Sequence, residues 1–280
     1  MSRTPLGLLL HQTHFDLKAV RANRQARFST LLMPVVLLVV VVGVTGDEPI
    51  SDHGVSLTPA TYFAPSLIAF AVLASCFLAL VVELVVLRES GVLKRRRARP
   101  VPAWTLVAGR TLAAAAGSLA VAAVLLIVAT SGYDAAVPAD AIPAITLFVL
   151  AGAAALSALA YAVSTAIRSA TAAQPVVALV ALPFLLISGV FFPASKLPPA
   201  LEAVADVTPL THLAHGLRHA ILPAAGGIRI DGLDLAILLA WGLVGAAVAV
   251  RRFRWLPRAG GDDQQREPRV ARVAHAGSGV

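Results

Sequence analysis

The sequence predicts an all-α, polytopic integral membrane protein: six transmembrane helices, an N-terminal interfacial helix before them, and short outer amphipathic helices between spans five and six. Three observations carry this reading. Of 280 residues, 58% are hydrophobic and only 14% charged, and the mean hydropathy is +0.81, well away from the balance of a soluble domain. The apolar residues gather in six runs, each close to the roughly 20 residues that cross ~30 Å of hydrocarbon. Only a helix satisfies every backbone N–H and C=O inside such a run.

Ahead of the first run, Pro5 to Arg27 reads as a helix with His11, His14, Lys18, Arg21 and Gln25 on one stripe. Its other face carries Leu9 and Val20 but is broken by Asp16 and Asn23, which suits a membrane surface or a partner better than a core. The sequence before the first run lacks a small-residue cleavage pattern, so insertion is expected to use the spans themselves.

The expected spans are Phe28 to Gly46, Phe63 to Leu87, Leu106 to Thr130, Ile142 to Ile167, Pro175 to Phe192, and Leu233 to Val250. With the N-terminus on the cytoplasmic side, 20 of the 23 Lys and Arg fall inside, leaving Lys196, Arg218 and Arg229 outside. That asymmetry predicts a multi-pass cell-membrane protein with both termini cytoplasmic. The net charge of +8 then reflects topology and attraction to anionic lipid, without a nucleic-acid partner.

Between the fifth and sixth spans, Leu197 to Val207 reads as one short helix, and Thr208 with Pro209 gives the cap and first turn of a second. Leu210, Leu213, Ala214, Leu217 and Ile221 form its apolar stripe, and His212, His215 and His219 the opposite, wet face. The three histidines have a spacing that can converge on zinc, but no carboxylate shares their face, and a solvated face is the favoured expectation. The single cysteine, Cys76, lies in an apolar run and reads as a small buried hydrophobe.

Catalytic patterns are missing from the sequence. There is no G-x-x-x-x-G-K-S/T to cradle nucleotide phosphates, no H-E-x-x-H and no G-x-S-x-G. Two charges sit deepest in the apolar runs, Glu83 and Arg110, each a turn or two from the cytoplasmic boundary on consecutive spans. They are expected to pair, because an unpaired ion in lipid is costly.

A short basic loop joins the second and third spans, E-L-V-V-L-R-E-S-G-V-L-K-R-R-R-A-R-P-V-P-A-W, and the fifth span ends in I-S-G-V-F-F-P. With the basic lead and the outer helices, this order resembles the ABC type-2 permeases, membrane subunits of ATP-binding-cassette exporters, from Leu9 to about Arg254. The resemblance implies an ATPase-coupling loop at 88–103, with Arg88, Glu89, Gly91, Leu93, Lys94 and Arg95 facing a cytosolic ABC ATPase. It adds Lys18, Arg21, Arg24 and Arg27 of the lead helix to that interface. Ser188, Gly189, Phe191, Phe192 and Pro193 match the outer gate beneath the helices of segment 193–231.

The resemblance also implies three partners: the ATPase, which alone binds ATP and Mg, a second permease copy, identical or similar, and membrane lipids. The chain itself would need no cofactor and would not be an enzyme. The expected organisation is 1–27 interfacial helix, 28–254 transmembrane domain and 255–280 disordered cytoplasmic tail, rich in Gly, Asp, Gln and Arg. The nearly chargeless span interiors suggest a hydrophobic or amphiphilic substrate. Two rivals remain at this point, an ion-driven secondary transporter and a membrane enzyme using the outer histidines.

Overall fold

The computed structural model describes residues 24–52, 55–90, 103–191, 198–222 and 229–252; for 24–31, 52 and 103–107 only the backbone is described. The lead before Arg24, the basic loop 91–102 and the tail after Arg252 lie outside the described residues. In chain order the helices are α1 (Arg24–Thr45), α2 (Pro59–Leu73), α3 (Leu80–Glu89), α4 (Ala103–Tyr133), α5 (Ile142–Ser164), α6 (Ala170–Ile187), α7 (Pro199–Ala205), α8 (Pro209–Ile221) and α9 (Gly232–Arg252). A small antiparallel hairpin, β1 (Ile50–Asp52) and β2 (Val55–Leu57), pairs Ile50 with Leu57 between α1 and α2. It is the one addition to an otherwise all-α architecture among the described residues.

Five helical stretches are long and apolar enough to cross a membrane: Pro59–Glu89, Ala108–Tyr133, Ala139–Ser164, Ala170–Ile187 and Gly232–Arg252. The first expected span contributes a shorter apolar helix, Leu32–Thr45. The fifth expected span is displaced toward the N-terminus, starting at Ala170 and stopping at Ile187. Its start is set by Ser169, whose Oγ accepts the Ala172 N–H at 3.3 Å as an N-cap. Its end is set by Gly189 at φ +72°, a left-handed position that cannot continue a helix. The fourth expected span likewise ends at Ser164, short of Ile167.

One continuous helical rod, Pro59 to Glu89, forms the spine. In α2 every residue except Phe70 is buried, which is why that stretch is apolar all round and shows no one-sided pattern. Between α2 and α3, Ala74–Ala79 makes a π-helical turn. An extra residue there turns Ser75 and Cys76 toward α4, where Ser75 Oγ lies 2.7 Å and Cys76 Sγ 3.6 Å from Ser118 Oγ.

Packing of α5 on α9 depends on small residues. A Cβ added at Gly245 would lie 2.8 Å from the carbonyl carbon of Ala158, and one at Gly242 would lie 3.3 Å from Ala155 Cα. The backbones therefore approach as closely as small side chains allow, giving van der Waals contact where the hydrophobic effect offers none between helices in lipid. Ala155 and Ala158 thus serve a contact inside the chain. Outward faces of α6 and α9 stay apolar and open, with Leu179, Leu182, Leu239 and Leu243 all exposed.

Candidate functional site

Functional side chains collect at the two ends of the bundle. At the end that leads into the basic loop, Arg88 and Glu89 close the last turn of α3. Arg88 Nη1 donates to the Ser164 carbonyl at 2.9 Å and Nη2 to the Ile167 carbonyl, so a cation sits where the last carbonyls of α5 point. Glu89 Oε2 accepts the backbone N–H of Ala170 in the first turn of α6, where a carboxylate meets the positive helix terminus. Two adjacent side chains of opposite sign thus fasten α3 to the α5–α6 connection. One turn and a half earlier, Arg110 Nη1 of α4 lies 2.8 Å from Glu83 Oε1, with Arg110 10% and Glu83 53% exposed.

At the opposite end, α8 packs among α2, α5 and α9. Thr208 Oγ1 caps it by accepting the Thr211 N–H at 3.4 Å. Gly216 is required by Phe148, since an added Cβ would lie 2.3 Å from the Phe148 ring, and Gly152 makes room for Leu213 in the same way. Arg218 is 3% exposed; its Nη1 donates to Ser66 Oγ at 3.0 Å and to the Gly189 carbonyl at 3.3 Å. Its guanidinium lies 4.9 Å from the Tyr62 ring centroid, and Tyr62 Oη donates to the same Gly189 carbonyl at 2.8 Å. At the C-terminal end of α8, Arg229 donates to the Leu222 carbonyl at 2.8 Å and pairs with Asp140 at 2.8 Å.

The histidine face of α8 is covered, not wet. His212 is 9% and Asp234 4% exposed. His212 Nδ1 lies 2.7 Å from Asp234 Oδ1, and its Nε2 lies 2.7 Å from the Asp206 carbonyl. Both ring nitrogens face acceptors, so both must donate, and the ring is an imidazolium. The Asp234 hydrogen bond, first among the causes, raises the His212 pKa above the usual imidazole value while burial opposes it. His215 Nδ1 donates to the other carboxylate oxygen, Asp234 Oδ2, at 2.6 Å. Asp231, just ahead of α9, accepts the Leu233 N–H at 2.8 Å through Oδ1.

Several expected site residues are therefore repositioned. Arg88 and Glu89 are engaged with α5 and α6 rather than left facing outward; Gly91, Leu93, Lys94 and Arg95 lie outside the described residues, as do Lys18 and Arg21, while Arg24 and Arg27 fall on the backbone of α1. In the outer turn, Ser188 is buried, Gly189 is the shared acceptor, Phe191 packs 6.0 Å from the Phe70 ring, and Phe192 and Pro193 are outside the described residues. The solvated histidine face is corrected: His212 and His215 close on Asp234, a carboxylate supplied by a neighbouring helix. His219 does not join them; its ring lies 6.3 Å from His215, and its Nδ1 is buried without a hydrogen-bond partner among the described residues. Arg218, Tyr62, Ser66 and Asp234 escaped the sequence reading. The available signal was a cation on the border of the α8 apolar stripe and the pair Tyr62, Ser66 one turn apart in a run buried on all sides.

Long apolar helices, charges near the bundle ends and tight small-residue packing define a polytopic, helical membrane protein. Residues 11–222 match the ABC-2 type transporter family, and the chain belongs to that family as the membrane permease subunit of an ABC transporter. Permeases of this family are transport subunits that act with an ABC ATPase and generally lack an ATPase site of their own. No curated protein matches the chain.

Proposed function

We propose that the chain is the permease of an ATP-driven exporter, taking a hydrophobic or amphiphilic molecule such as a drug, antibiotic or lipid-like compound out of the cell. Two copies, or this chain and a similar one, form the pathway, and a cytosolic ATPase that binds ATP and Mg docks on the loop 88–103 and the basic lead helix. Both termini are cytoplasmic in this reading, following the asymmetry of Lys and Arg.

The observation that carries the mechanism is the Arg88–Glu89 clasp. A push on the loop that follows Glu89 reaches α3 directly, and through Ser164, Ile167 and Ala170 it reaches α5 and α6 in the same motion. Rigid helices joined at their ends move as a body instead of bending one by one. Lys94 and Arg95 offer charge to the partner, and Leu93 an apolar anchor.

Copurification tests this. A tagged chain should bring down an ABC ATPase from its own membranes, and the double substitution Lys94→Glu with Arg95→Glu should release it while the permease remains monodisperse. Arg88→Ala should leave the ATPase bound but reduce nucleotide-dependent efflux. Uphill transport by the purified permease alone in vesicles would overturn the reading.

A further inference from the structure

We propose that His215, Asp231 and Asp234 form a site for one divalent transition-metal ion of the zinc type, placed where α8 meets the first turn of α9. Each residue offers one ligand atom, and the three atoms lie within 4.8 Å of one another. Around a tetrahedral ion with metal–ligand bonds of about 2.1 Å the ligand atoms stand about 3.4 Å apart, so the widest pair closes by up to about 1.4 Å while His215 Nδ1 and Asp234 Oδ2, now 2.6 Å apart, open. One imidazole and two carboxylates suit a borderline cation.

The surroundings favour a ligand over three independent surface groups. Asp234 is a buried carboxylate, with its side chain 6% exposed, and its Oδ1 is oriented by His212 Nδ1 at 2.7 Å. That leaves Oδ2 directed at His215, the arrangement in which a ligating carboxylate is held by a hydrogen bond from behind. His212 in turn is fixed by the Asp206 carbonyl. Asp231 is held through Oδ1 by the backbone N–H groups of Leu233 at 2.8 Å and Asp234 at 3.2 Å, which commits only one of its two oxygens. The His215 side chain is 31% exposed, so solvent reaches one edge of the cluster. The ion replaces the hydrogen bond between His215 Nδ1 and Asp234 Oδ2, and the neutral imidazole then carries its one proton on Nε2.

An ion here ties α8 to α9 across the junction already spanned by Trp241 Nε1 and the Val207 carbonyl at 2.8 Å. It would hold together the segment between the last two candidate spans. The proposal is separate from the transport reading, because it concerns equilibrium binding by the chain alone.

The test is calorimetric titration of zinc chloride into the full chain, purified in detergent and stripped with chelator, at neutral pH. Saturable binding at one ion per chain is expected. Affinity should fall at least tenfold in His215→Ala and in Asp231→Asn, each checked for monodispersity, and stay unchanged in His219→Ala. The proposal is overturned if the folded parent chain shows no saturable binding, or if affinity survives in both His215→Ala and Asp231→Asn. Equal loss in His219→Ala would likewise sink this ligand set.

Discussion

The guanidinium of Arg218 lies 4.9 Å from the Tyr62 ring centroid, and the two side chains donate to one acceptor, the Gly189 carbonyl. Three segments meet there: α2, α8 and the turn that ends α6. Tyr62→Phe should cost about 1 kcal/mol, since Gly189 keeps its second donor. Arg218→Met should cost about 2 kcal/mol or more, losing a charged hydrogen bond and the ring contact together. Thermal unfolding of the two single variants and the double variant checks this, and additive losses would show that the residues act independently.

Gly245 and Gly117 make a controlled pair. A Cβ at Gly245 meets the Ala158 backbone at 2.8 Å, whereas one at Gly117 meets nothing within 4 Å. Gly245→Ala should therefore lower stability by about 1–3 kcal/mol through forced separation of α5 and α9. Gly117→Ala should be neutral or gain up to about 1 kcal/mol from helix propensity. Melting temperatures measured side by side decide it.

Glu89 tests the clasp by chemistry. Glu89→Gln keeps an oxygen acceptor for the Ala170 N–H but loses the charge, and should cost a few tenths of a kcal/mol. Glu89→Ala removes the acceptor as well, and should cost about 1 kcal/mol, as loss of a helix cap does. Efflux should fall in the same order as stability. A fully active Glu89→Ala protein would remove this residue from force transmission.

His212 makes stability depend on pH with a definite sign. Its pKa is raised on folding, chiefly by Asp234, with His215 and the Asp206 carbonyl also facing the site. The resulting stabilisation is fully present below the unfolded value of about 6.5 and is lost as pH rises through the folded-state pKa. In chelator-treated protein the melting temperature should fall between neutral and alkaline pH. The parent's advantage over His212→Gln should shrink over the same range; a constant gap would refute the imidazolium assignment.

Much of the architecture is local in origin, and so it was readable from residue order. Apolar runs of membrane length must become helices because no water remains to satisfy their backbones. Thr208 and Pro209 mark the start of α8 because a cap depends only on the next few residues, and Thr208 does cap Thr211. Glu83 and Arg110 could be placed at similar depth on consecutive runs, although their 2.8 Å separation is a matter of helix rotation. The end of α6 is not legible in the sequence because three apolar residues, Val190 to Phe192, continue past the point where Gly189 turns the chain.

The amino-acid order alone determined that this is a helical membrane protein with charge held at its margins, because hydrocarbon imposes its demands residue by residue. Tertiary structure decided what the charges do. A helical wheel of α8 shows His212, His215 and Arg218 leaving the apolar stripe, but not that Asp234 comes to meet the first two or that Tyr62 and Gly189 receive the third. Those partners are 19 to 156 residues apart in the chain. Their meeting is set by how α2, α5 and α9 pack around one short helix, which no local pattern encodes.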